Sequence, residues 1–432
     1  MFRTPDDRGF GAAPVTAEPT RGVPDRGIMT PRRLIVVSIA SATVAIAFGR
    51  FTYPLVLPAL KRDLLASYTV VGLLGSLSFA AYLGASLFVT IKGHKLGPVT
   101  LVRRGVAGSA LGLLILASAG SVWWLAVGML LTGASGALVW ISAPGLAASA
   151  VAADRRGWAI GLVATGIGLG VVVTGQLAAV TRGMDGSASW RVVWAIQAML
   201  AAACLIFTLA RRGETVGSGA RAATLATLRK VRGWAGITLA YAAYGLSYSL
   251  FVSYLVAMLE ADAEYDTSHS SQSFAVLGLF TAGAAVIGKL SDRFGRILVL
   301  SACLGTMAVA ALAVLSHTEP WTTVSSATFG FTMSGVPVVV AAHIADNLPP
   351  EEFGAAFGAA TLAFGVTQLT GPQLGGLIAD HTGSFTLVYM LSSAIALAGA
   401  ATATASNLAL RPTRSRPVDT SGAPRRRGGG ER

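Results

Sequence analysis

The chain has 432 residues, of which 53% are hydrophobic and only 12% charged, and its mean hydropathy is +0.64. Ordinary water-soluble domains carry roughly 25% charged residues, so the composition excludes a typical soluble enzyme and points to lipid as the solvent. Lys and Arg outnumber Asp and Glu 33 to 20, a net charge of +13, but the basic residues fall between apolar runs, which signals membrane topology and no nucleic-acid partner.

In chain order, residues 1–32 are polar and rich in Pro, Gly and Arg (Arg3, Arg8, Arg21, Arg26). They lack an apolar h-region or a small-residue cleavage site, so a disordered basic tail is expected and not a signal peptide. Twelve apolar runs follow, at 34–58, 69–91, 100–119, 122–149, 158–180, 190–210, 234–259, 271–290, 297–316, 320–343, 353–378 and 385–409. A hydrocarbon layer about 30 Å thick takes about 20 helical residues at 1.5 Å each, which these runs supply. They are continuous and rich in Ala, Leu and Gly, unlike the ten-residue alternating segments of a barrel. The expected fold is an all-α polytopic membrane protein with twelve transmembrane helices. The longest polar connection, 211–232, divides it into two six-helix bundles, 33–210 and 233–410, and 411–432 reads as a second disordered basic tail.

Of the 33 Lys and Arg residues, 28 lie on the side that holds both chain ends. Positive loops are retained in the cytoplasm, so both termini are expected to be cytoplasmic, in the cell (inner or plasma) membrane. Trp123, Trp124, Trp190, Trp194 and Trp321 fall at outer helix ends and Trp158 and Trp234 at inner ends, the placement of an interfacial belt; Trp140 lies mid-span. Cys204 and Cys303 have no metal-ligand spacing and read as packing residues. No metal or cofactor is expected.

The two halves share a register. Gly288-Lys289-Leu290-Ser291-Asp292-Arg293-Phe294-Gly295-Arg296 follows the eighth run and Thr90-Ile91-Lys92-Gly93-His94-Lys95-Leu96-Gly97-Pro98 the second. A further pair, Gly354 to Gly358 and Gly157 to Gly161, repeats at nearly the same offset, so a duplicated six-helix unit is expected. These residues resemble the major facilitator superfamily over about 32–410. Its loop pattern Gly-x-Leu-x-Asp-Arg-x-Gly-Arg is matched by Gly288, Leu290, Asp292, Arg293, Gly295 and Arg296, while the first copy keeps Gly97 but has Thr90, His94, Lys95 and Pro98 at departing positions. The resemblance implies two pseudo-symmetric bundles and an acidic gate on the cytoplasmic side, resting on Asp292 alone. Physically, Gly288 is expected to let helices approach closely, and Asp292 to accept from Arg side chains or helix-start amides. A narrower resemblance, on Gly49-Arg50-Phe51-Thr52-Tyr53-Pro54-Leu55-Val56-Leu57-Pro58, is to the YbfB/YjiJ-type bacterial branch.

Arg50 is the one ionisable residue well inside a span, where a cation costs roughly 2.5–3.5 kcal/mol unless compensated. The resemblance places the first helix of each half on a central cavity, where Arg50 could dock an anionic group; alternatively it donates to carbonyls freed near Pro54 or snorkels to the surface. Tyr241, Tyr244 and Tyr248 recur at helical spacing on the seventh span, which the resemblance sets opposite Arg50, with Ser247, Ser249 and Tyr254 nearby. Such hydroxyls could bind a polar substrate or simply pack between helices. Tyr53, Trp140, Gln176, Gln368 and Gln373 complete the candidate cavity set.

Gly161, Gly166, Gly170 and Gly175, and Gly371-Pro372-Gln373-Leu374-Gly375-Gly376, suit close and sliding helix contact, with Pro372 a point of bending. The last segment resembles the family's Gly-Pro-x-x-Gly-Gly antiporter motif, though that motif belongs in the fifth span. The position resembling a proton-coupling Arg falls near Met129, and no Asp or Glu occupies a span's middle. His343 and Asp346 are the candidates for proton coupling, with a surface cap as the alternative. Glu260, Asp262, Glu264 and Asp266 read as a solvated acidic face.

The expectation is a secondary transporter working by alternating access, monomeric in the bilayer, that moves a small organic, anionic solute. Multidrug-type efflux of hydrophobic compounds is an alternative. A non-transporting sensor or scaffold is another, disfavoured by the retained loop chemistry around Asp292. No Walker-type Gly-x-x-x-x-Gly-Lys-Ser/Thr loop occurs, and no catalytic set converges, so neither direct ATP drive nor an enzyme is expected.

Overall fold

A computed structural model describes residues 30–92, 96–152, 155–182, 189–209 and 225–409. Residues 1–29 and 411–432 of the expected tails, and 211–224 of the connection, lie outside the described residues, as do 210 and 410. The described residues form twelve long helices: α1 (Pro31–Asp63), α2 (Tyr68–Lys92), α3 (Pro98–Ala117), α4 (Val122–Ser149), α5 (Arg156–Arg182), α6 (Ser189–Leu209), α7 (Trp234–Ala261), α8 (Thr267–Phe294), α9 (Arg296–Ser316), α10 (Trp321–Asn347), α11 (Pro350–Thr382) and α12 (Thr386–Ala409). All twelve are long and apolar enough to cross a bilayer. Among the described residues there is no strand.

Several helices open on proline, at Pro31, Pro98 and Pro350, where the missing amide hydrogen costs nothing and φ is already helical. The near end of the bundle carries the loops at 96–97, 225–233, Gly295 and 348–349; the far end carries those at 64–67, 118–121, 262–266, 317–320 and 383–385. Gly97 and Gly295 both hold positive φ with extended ψ, 70° and 151° against 96° and 141°. Only glycine adopts that conformation readily, so the same chain reversal recurs at equivalent points of the two halves. Leu225–Leu228, which the sequence places in the polar connection, is instead a short helical turn, tied on by Lys230 Nζ to Glu352 Oε1 at 2.7 Å.

The halves meet along two seams, α2 against α11 and α5 against α8. Glycine lets both close. A methyl added at Gly72 would run into the Pro372 carbonyl oxygen, and one at Gly376 into the Tyr68 carbonyl oxygen. On the other seam Gly168 faces Gly278 and Thr281, and Gly175 faces Ala275. Gly166 and Gly170 receive α1, but Gly161 has open space. Gly288 also departs from expectation: a Cβ there would touch Val338 at an ordinary 3.5 Å, so no close approach depends on it.

Two of the seven tryptophans placed at helix ends leave the belt. Trp190 and Trp194 are 0% and 1% exposed, packed edge to face at 5.5 Å, and Trp190 Nε1 donates to Asp63 Oδ2 at 2.7 Å. The end of α6 tucks under α1, so these rings serve the bundle interior. Trp123, Trp124, Trp158 and Trp321 are exposed, as a belt requires. The acidic far-end loop is also more than a solvated face. Asp266 caps α8 by accepting from the amides of Ser268 and His269. Asp262 accepts from the Phe385 amide at 2.7 Å, and Glu260 from the Ser270 hydroxyl at 2.7 Å.

Candidate functional site: a cation in an aromatic cleft

The middle of α1, Thr43–Phe51, is wound in the wider π-helical geometry, and Arg50 sits at its end. Pro54, one turn on, has no amide hydrogen to offer the Arg50 carbonyl. Widened turns of this kind redirect side chains and are frequent at functional sites. The Arg50 guanidinium lies over two ring faces of α2, with Cζ 4.4 Å from the centroid of Phe79 and 5.0 Å from that of Tyr82. Its Nη2 is buried without a hydrogen-bond partner among the described residues. Each ring face offsets roughly 0.5–2 kcal/mol of the burial cost, which tolerates the cation without neutralising it.

Arg50 borders a cavity of about 10 Å³ lined with Gly49, Phe79, Tyr82, Thr132 and Gly136 among others. That is room for a water at most, and its lining comes from α1, α2 and α4 of the first half. Trp140 stands one turn beyond Gly136 on the same face of α4 and is 39% exposed.

Across the seam, α7 and α11 supply a stack of rings. Tyr241 and Tyr244 lie 5.9 Å apart and 4° from parallel; Phe364 stacks on both, at 4.8 and 5.5 Å; Tyr248 continues the row from Tyr244 at 5.7 Å. Tyr82, Tyr244 and Tyr248 are within electrostatic reach of Arg50. Gln368 follows Phe364 by one turn, is 1% exposed, and leaves Nε2 without a partner. The structure thus brings together Arg50, Tyr241, Tyr244 and Tyr248, with Trp140 and Gln368 at the margins.

The other candidates are placed elsewhere. The Tyr53 hydroxyl donates to the Val71 carbonyl at 2.8 Å and braces α1 on α2. Gln176 is exposed in a stripe with Leu169, Val173 and Val180, and Gln373 in one with Val366 and Leu377; both face outward. Of the hydroxyls flanking the tyrosines, Ser247 pairs with Ser392 at 3.0 Å and Tyr254 donates to the Pro372 carbonyl. Gly371 lies against Ser249 of α7, so Gly371 and Pro372 are packing positions in a continuous α11. His343 Nε2 is 3.0 Å from the Arg232 carbonyl, and Asp346 accepts from Arg296 Nε at 2.9 Å; both belong to the near-end surface.

The loop acid Asp292 pairs with Arg296 within its own half, and the Arg293 guanidinium lies over Phe294. A polar lock between halves is found instead at the far end. The carboxylate of Asp380, on α11, accepts from the Tyr68 amide at 2.9 Å, the Thr69 amide at 2.7 Å and the Thr69 hydroxyl at 2.6 Å. It caps the start of α2, where an anion also meets the positive end of the helix dipole. Tyr68 adds a ring contact to Phe385, in the loop before α12, at 4.8 Å.

Phe79, Tyr82, Phe364 and Asp380 escaped the sequence reasoning. The signals available were Phe79 and Tyr82 at i, i+3, the spacing of Phe364, Gln368 and Pro372 at four-residue steps, and an acid just past the eleventh apolar run.

A family model described as "Uncharacterised MFS-type transporter YbfB" matches residues 42–404. Shorter stretches resemble curated proteins. The uncharacterized MFS-type transporter YfiU of Bacillus subtilis is 31% identical over 128 residues, 28% of this chain and 24% of that protein. Monocarboxylate transporter 6 of Mus musculus is 35% identical over 71 residues, 16% and 15% of the two chains. The uncharacterized MFS-type transporter Rv1877 of Mycobacterium tuberculosis is 34% identical over 117 residues, 26% and 17%. The chain matches a quarter or less of the length of each of these relatives.

Proposed function

The chain belongs to the YbfB-type transporters of the major facilitator superfamily, and from that premise we propose that it moves a small organic anion by alternating access, with Arg50 as the anion-binding group. It is a multi-pass membrane protein and a transporter, not an enzyme. The observation that carries the substrate reading is the buried Nη2 of Arg50, unpartnered among the described residues, with Tyr244 and Tyr248 of the other half within electrostatic reach. A carboxylate there would complete both hydrogen bonding and charge at a depth where neither comes from water.

In this reading the near end faces the cytoplasm of a monomer in the inner or plasma membrane, the far end is the outer face, and the Asp380 cap belongs to a state closed to the outside. Rocking of the two halves opens one side of the site at a time. Uptake of labelled organic acids into liposomes containing the protein should fall by about 30-fold for Arg50→Ala and less for Arg50→Lys. Transport that is unchanged in both variants would remove Arg50 from the site.

The ring stack on α7 and α11 favours a second reading, export of hydrophobic drug-like compounds. That reading expects cells carrying the protein to survive such compounds better than cells without it, and expects Arg50→Ala to leave the protection intact.

A further inference from the structure

Three observations at the Arg50 site restrict the ligand more tightly than its being an anion. The first is charge. Arg50 is the single Lys or Arg in the middle of any span, and no Asp or Glu lies at that depth. One uncompensated cation balances one negative charge. A dianion would carry an unpaired charge into the low-dielectric seam, and the ammonium of a zwitterion would find no carboxylate there. The second is shape. The cavity beside Arg50, lined by α1, α2 and α4 of the first half, is about 10 Å³, so a ligand must displace packed groups to reach the guanidinium, and a planar ring is the thinnest organic body for its area. The third is the surface that receives it. Tyr241, Phe364 and Tyr244 present rings within 14° of parallel, and on the other side the guanidinium is itself held against the faces of Phe79 and Tyr82.

We infer that the ligand is a singly charged planar aromatic acid, its carboxylate on Arg50 Nη2 and its ring inserted among Tyr241, Tyr244 and Phe364. This rests on the transport reading above and narrows it. Phe364, Phe79 and Tyr82 become specificity-determining residues. The buried amide of Gln368, one turn from Phe364 with Nε2 unpartnered, is placed to donate to a ring substituent or to the second carboxylate oxygen. Offset stacking favours an aromatic ring over a saturated one of equal carbon count beyond what buried area supplies.

Calorimetric titration of the purified full-length protein tests this with five probes: benzoate, cyclohexanecarboxylate, terephthalate, benzamide and phenylalanine. Benzoate should bind about three- to ten-fold tighter than cyclohexanecarboxylate. It should bind about ten-fold or more tighter than terephthalate, and about 30-fold or more tighter than benzamide or phenylalanine. In Phe364→Leu the advantage of benzoate over cyclohexanecarboxylate should shrink below about two-fold while its advantage over benzamide persists. Cyclohexanecarboxylate or terephthalate binding as tightly as benzoate, with binding abolished in Arg50→Ala, would overturn the aromatic monoanion and leave the anion transporter standing. Binding by none of the acids, or binding that Arg50→Ala does not weaken, would overturn both. The wild-type panel decides the matter even if Phe364→Leu does not fold.

Discussion

Arg50 and Gln368 are the two site residues whose buried donors lack a protein partner, and they differ in what that costs. The cation is propped by two rings and keeps its charge for a ligand; the amide has no such substitute. A buried donor left unmade costs about 1–3 kcal/mol, whereas an apolar group of similar shape costs little. Gln368→Leu should therefore raise the melting temperature of the ligand-free protein or leave it unchanged, while weakening anion binding about five-fold or more. A fall in melting temperature would show that the amide serves the fold alone. Tyr53 is the contrasting case: it is an aromatic hydroxyl close in sequence to Arg50, but its proton goes to the Val71 carbonyl, leaving the hydroxyl committed to a helix contact.

At the scale of helices, α1 and the α2–α11 seam set the site. The wide turn Thr43–Phe51 and the prolines behind it aim Arg50 at α2, and the glycines of the seam hold α2 and α11 at backbone contact. The seam ends on Asp380, whose carboxylate ties α11 to the start of α2 and, in the alternating-access reading, is released when the far end opens. Removing a capping carboxylate costs about 0.5–2 kcal/mol, a shift of about two- to thirty-fold in a two-state balance. Asp380→Ala should accordingly increase the labelling rate of a cysteine placed at Ala257, which is 1% exposed and lines a far-end cleft with Pro58 and Tyr68, in protein lacking Cys204 and Cys303. Labelling as slow as with Asp380 intact would mean that apolar packing, and not this cap, keeps the far end shut. The loop acid Asp292, singled out by the family pattern, makes its ion pair within its own half in this conformation, where it orients Arg296 toward Asp346.

For the whole molecule, the repeat legible in the sequence has a structural counterpart in Gly97 and Gly295, which turn the chain in the same way. The six-helix repeat also exchanges one seam with the other, α2–α11 with α8–α5. The distribution of Lys and Arg is the ground for proposing that the near end is cytoplasmic. Alkaline phosphatase fused in the far-end loops at 64–67, 262–266 or 317–320 should then be active, and fusions beside Gly97 or Gly295 inactive. The reverse pattern would invert the sidedness and with it the outward closure attributed to Asp380.

Twelve spans, their ends within a few residues, the repeat and the family were all legible in the chain, because they follow from local hydropathy, from charge between apolar runs and from loop motifs that recur at a fixed offset. Arg50 was equally visible, since a cation in lipid is conspicuous wherever it lies. The sequence could not show which apolar-helix residues meet across a seam, because in a bilayer both the lipid face and the helix–helix face are oily. Hence Gln373 and Gln368, five residues apart, go to opposite surroundings, Trp190 and Trp194 are drawn inside, and Phe79, Tyr82 and Phe364 join the site unannounced. Those assignments depend on how closely particular backbones approach, which only the packed bundle decides.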